Sequence, residues 1–69
     1  MDKEHYNRIK VVLAEKRLTN KKLAQALDIT VQTVSRWCTN EMQPSIETLY
    51  RIAAYLDIDV RELLIPTKD

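Results

Sequence analysis

Gln32 and Arg36 stand four residues apart in the segment TVQTVSRWC, so on a helix they share a face. A primary amide and a guanidinium can each make two parallel hydrogen bonds to a flat partner, which suits recognition rather than bond making. Lys21 and Lys22 offer a different chemistry, two adjacent ammonium groups just after Thr19, a residue suited to begin a helix. At a helix start the dipole disfavours each cation by about 0.3 kcal/mol or more. An anion there reverses the sign, because backbone N–H groups, dipole and both ammonium groups then act together. The plainer alternative is a pair of solvated lysines that tolerate a small penalty.

Bond-making chemistry finds no support. A chain without glycine has no glycine-rich phosphate loop, and no serine has a convergent histidine and acid. His5 is the one histidine and Cys38 the one cysteine, which excludes an internal disulfide, a four-cysteine zinc site and a CxxC pair. No catalytic residue, metal ligand or cofactor site is therefore expected, and Cys38 reads as a small buried apolar residue.

The elements that position these residues have to come from 69 residues, 45% hydrophobic and 30% charged. Splitting that length would leave neither half enough interior, so residues 1–69 are expected to form one domain. The longest apolar run, Ile52 to Leu56, is far short of a membrane span, and MDKEHYNRIK does not read as a secretory signal, so a cytoplasmic location is expected. The formal net charge of +1 conceals an asymmetry: residues 1–34 carry seven bases against four acids, and the remainder four bases against six acids. An anionic partner should meet the first half.

Apolar periodicity and capping residues predict an all-α protein of five helices with no strands. Tyr6, Ile9, Val12 and Leu13 give the first, of roughly three turns; Thr19 caps a second carrying Leu23, Ala24 and Leu27. Thr30 caps a third, about 31–38, with Val34, Trp37 and Cys38 as its buried stripe. Ser45 caps a fourth, whose inner face is Ile46, Leu49, Ile52, Ala53 and Leu56. Asp59 and Glu62 have capping-box spacing for a short fifth, carrying Val60, Leu63 and Leu64 and stopped by Pro66. With glycine absent, the left-handed residues at helix ends should be Asp28, Asn40 and Asp57. Trp37 is placed at the junction of the second, third and fourth helices. Met42, Tyr50, Tyr55 and Ile65 remain outside the core as a candidate self-association patch.

Two short helices joined by a tight turn, with one helix before and two after, constitute a helix-turn-helix pattern over residues 20–39, within a core of 6–65. The run TNKKLAQALDITVQTVSRWCTNEMQPSIETLYRIAAYLDIDVRELL resembles the Cro/cI-type helix-turn-helix domain of the XRE-like regulators. LA, TVSRW, PS, ETL, RIA and ELL stand in the family's register across residues 7–64.

That resemblance implies a compact phage-repressor-like domain whose third helix enters the major groove of double-stranded DNA, as a homodimer on a palindromic operator. It turns Val31, Gln32, Ser35 and Arg36 toward base edges: Gln32 suits adenine, Arg36 guanine and Val31 a thymine methyl. Phosphate contacts fall to Asn20, Lys21, Lys22, Thr30, Thr33 and Thr39, with Thr30 also explained by its capping role. Asn20 stands where the family often has glutamine, and Asp28 and Asn40 where it often has glycine. Glu41 replaces a residue that is often basic, which implies modest affinity. The expected function is a small sequence-specific transcription regulator. The alternative is an antitoxin component that binds a toxin protein as well as its own operator.

Overall fold

The computed structural model describes residues 5–68. Four α-helices follow one another, α1 (Ile9–Glu15), α2 (Asn20–Leu27), α3 (Val31–Cys38) and α4 (Ile46–Leu56), and a 3₁₀ turn spans Val60–Leu63. The all-helical class agrees with the sequence reading, but the last of the five helices is not α-helical. Only four residues separate its cap, Asp59, from Leu64, which leaves to pair elsewhere. In that space the chain makes the tighter i to i+3 bonds, Glu62 N–H to the Asp59 carbonyl at 2.9 Å and Leu64 N–H to that of Arg61 at 3.1 Å. The capping box of Asp59 and Glu62 is present.

The first helix is shorter than its periodicity predicts. Tyr6, placed on its buried face by the sequence, lies outside it and is 58% exposed. Its carbonyl accepts from Ile65 N–H at 2.9 Å while Arg8 N–H donates to the Leu63 carbonyl at 2.9 Å, around an isolated antiparallel bridge between Asn7 and Leu64. Backbone extended for that pairing cannot also be helical. Leu64 is correspondingly drawn out of the core and exposed. Ile46 is a second correction: it is 73% exposed instead of lining the inner face of α4. At 100° per residue it sits about 70° from the centre of the arc formed by Leu49, Ile52, Ala53 and Leu56, beyond the edge of the buried stripe. Cys38 is half-buried, packed against the core rather than within it.

Ile9, Leu23, Val34, Ile52 and Leu63, one from each element, are the largest fully buried side chains. α2 packs most extensively on α3, α4 packs on α2 and the 3₁₀ turn, and α1 packs on α3 and the same turn. Ala24, buried on α2, keeps that helix close to its neighbour. Trp37 is buried, on a helix whose principal neighbours are α2 and α1.

The predicted caps are in place. Thr19 accepts from Lys22 N–H at 3.1 Å, Thr30 from Thr33 N–H at 3.2 Å and Ser45 from Thr48 N–H at 3.1 Å. Asp28, Asn40 and Asp57 have φ of 58°, 61° and 57°, the left-handed conformations expected of them, and Arg17 joins them at 58°.

Candidate nucleic-acid interface

The turn between α2 and α3 is three residues long. Asp28 closes α2 in the left-handed region, and Ile29 N–H reaches back to the Ala24 carbonyl at 3.0 Å. Thr30 is extended and caps α3. With Val34 and Trp37 buried on α3, helical geometry turns Val31, Gln32, Ser35 and Arg36 to solvent, and all four are exposed. The four residues expected to read bases thus share one outward face.

The residues expected to meet phosphates are more varied. Lys21 and Lys22 are exposed in the first turn of α2. That turn contains no acid, as does the first turn of α3, whereas α4 and the 3₁₀ turn carry Glu47 and Glu62 in theirs. Asn20 is half-buried, and its Oδ1 accepts from the Cys38 thiol at 3.5 Å, joining the start of α2 to the end of α3. Burial pushes the Cys38 thiol up from its ordinary pKa, against a smaller opposing pull from Lys10. The group therefore remains a protonated donor at neutral pH.

Thr30 and Thr33 face each other with their hydroxyl oxygens 3.0 Å apart. Two hydroxyl protons serve that one bond, so one of them stays available. Thr39 is committed more fully: its single hydroxyl proton goes to the Arg36 carbonyl at 3.2 Å, and a phosphate would need the hydroxyl to rotate.

A buried polar cluster behind α3 escaped the sequence reading. Asn40 Oδ1 accepts from the backbone N–H groups of Tyr6 and Asn7, at 2.9 and 3.1 Å, and from Gln43 Nε2 at 3.0 Å. Asn7 Nδ2 donates to the Trp37 carbonyl at 3.0 Å and to Gln43 Oε1 at 2.6 Å, and Asn7 Oδ1 accepts from Ile9 N–H at 3.0 Å. The cluster ties the entry to α1 to the C-terminal end of α3. Its only trace in the sequence is an asparagine where glycine would satisfy the backbone. Arg51 was missed too; from α4 its Nη2 donates to the Leu27 carbonyl at 3.3 Å, placing a cation at the negative end of α2.

No three histidine, cysteine, aspartate or glutamate side chains gather as a metal site among the described residues. His5 is exposed at the start of the described chain. No helix among the described residues is long and apolar enough to cross a membrane.

The sequence pattern of the Cro/C1-type helix-turn-helix DNA-binding domain matches residues 8–69. Among solved structures, a candidate DNA-binding protein from Bacteroides fragilis is 49% identical, over 86% of this chain and 95% of its own, and superposes with a TM-score of 0.84. A transcriptional regulator from Listeria innocua is 27% identical with a TM-score of 0.76; the match covers 90% of this chain but 58% of that protein. No match was found among the curated proteins.

Proposed function

The chain belongs to the Cro/C1-type helix-turn-helix DNA-binding family, and on that basis we propose that it is a small transcription regulator that binds duplex DNA sequence-specifically. The observation that carries the reading is the outward face of α3. Val31, Gln32, Ser35 and Arg36 are exposed side by side on a helix that Val34 and Trp37 anchor from behind. A helix so anchored fits the major groove, with Gln32 and Arg36 making paired contacts to adenine and guanine and Val31 meeting a thymine methyl.

Lys21 and Lys22 bind phosphates at the start of α2, where the absence of acid leaves the helix dipole to act on the anion. Asn20 supplies its amide N–H₂ there, since its oxygen is engaged by Cys38. The available Thr30 and Thr33 proton and a rotated Thr39 complete the phosphate contacts. This is binding chemistry, and none of it requires a catalytic group. The protein acts as a homodimer on a two-fold operator with half-sites about 10 base pairs apart, in the cytoplasm. The toxin-binding alternative gains no support from the relatives.

Selection of bound duplexes from a random library at two salt concentrations tests the reading. A palindromic motif that persists at the higher salt is the expected result. Binding without sequence preference, or no binding, would refute it.

A further inference from the structure

The turn between α1 and α2 holds an arginine where the backbone favours glycine. Arg17 lies just past the end of α1 with φ 58°. Its N–H donates to the Ala14 carbonyl at 3.1 Å and Leu18 N–H to that of Leu13 at 2.9 Å, the paired bonds with which a helix closes through a left-handed residue. Glycine is the usual occupant of such a position, and the other three left-handed residues of this chain are Asp or Asn, which tolerate it through local hydrogen bonds. Arg17 has neither advantage, and the negative end of α1, which favours a cation by about 0.3–1 kcal/mol, does not offset a left-handed cost of about 1–2 kcal/mol, so the fold alone does not explain the residue.

The surroundings do. Lys16, Arg17, Lys21 and Lys22 place four cations within seven residues, with no acid among them. All four are exposed, and among the described residues no carboxylate pairs with Arg17. Three peptide units separate Arg17 from Asn20, so their Cα atoms are at most about 11 Å apart. A guanidinium on that turn reaches the same stretch of polyanion as the lysines of α2.

We propose that Arg17 contacts a backbone phosphate of bound DNA, carrying the anion-binding surface past the helix-turn-helix onto the turn that precedes it. The contact is independent of base sequence, and it rests on the DNA-binding reading above.

The test separates fold from binding because the two should move in opposite directions. Arg17→Gly removes the charge and relieves the backbone, so the 69-residue variant should melt at the same or a higher temperature. Its binding to a mixed-sequence DNA duplex, followed by fluorescence anisotropy between about 50 and 200 mM salt, should weaken, with a log–log salt slope shallower than wild type by about 0.9. Arg17→Lys should keep the wild-type slope. An unchanged slope in Arg17→Gly, or an equal loss in both variants, overturns the proposal while leaving DNA binding intact. A wild-type chain with no salt-sensitive binding to the duplex overturns both.

Discussion

At the residue scale, the proposed base-reading and phosphate-binding roles predict effects that experiment can separate. Arg36→Ala should lower discrimination by about 1–3 kcal/mol at one base pair and leave the others unchanged, measured by competition among single-base variants of the selected site. Lys22→Ala should weaken binding evenly across those variants and flatten the salt slope by about 1. A uniform effect of Arg36→Ala would remove that residue from base reading. Asp59 gives a prediction of another kind. The Arg61 side chain bonds its carboxylate at 3.2 and 3.0 Å and the Arg61 N–H at 2.8 Å, holding it below the usual carboxylate range. Because the folded pKa lies below the unfolded one, the stabilisation is complete at neutral pH and is lost as pH falls through the folded value. Asp59→Asn should therefore melt below wild type at neutral pH, and the gap should close on acidification below about pH 4. A gap that stays constant to low pH would mean that the charge contributes nothing.

At the scale of elements, the parts legible in the sequence are those set by neighbours in the chain. α2, α3 and α4 begin at Thr19, Thr30 and Ser45 as read, because a cap and its helix are joined within three residues. The outward face of α3 was legible for the same reason, since the burial of Val34 and Trp37 fixes the facing of the rest. What was not legible depends on partners far along the chain. Tyr6 is withheld from α1 by Ile65, and the last helix is cut to a 3₁₀ turn by the bridge to Asn7. Asn40 was read as a backbone device alone, whereas its side chain holds the segment before α1. Asn40→Gly keeps the left-handed conformation and strands those donors, so it should cost about 1–3 kcal/mol in denaturant unfolding despite glycine's freedom. Asn40→Ala should cost about 1 kcal/mol more for its backbone. A neutral Asn40→Gly would show that water replaces the amide without loss.

At the scale of the molecule, stability depends heavily on one aromatic. A domain of this size is stable by roughly 3–10 kcal/mol, and deleting a buried aromatic costs about 3–5. Trp37→Ala should therefore lose about a third or more of the stability, read as a large fall in the denaturant midpoint followed by circular dichroism. The indole Nε1–H is buried with no hydrogen-bond partner among the described residues. Trp37→Phe, which removes that unpaired donor and keeps a ring, should be destabilised much less. Equal losses in the two variants would mean that the bulk of the indole matters more than aromatic burial as such.

The bridge between Asn7 and Leu64 also sets the order in which the chain assembles. α2 and α3 meet through a three-residue turn, so their docking closes a short loop, whereas the bridge must bring together the two ends of the described chain. Short loops close first, because each longer closure costs more chain entropy before any contact repays it. α3 is thus seated while the terminal segments are still free, and the bridge forms after the rate-limiting step. Weakening it, for instance with Ile65→Pro, which removes the N–H bonded to the Tyr6 carbonyl, should leave the refolding rate nearly unchanged and speed unfolding, as stopped-flow kinetics would record. Slower refolding would place the pairing of the ends in the folding nucleus. The paired ends are therefore a latch on the lifetime of the folded state.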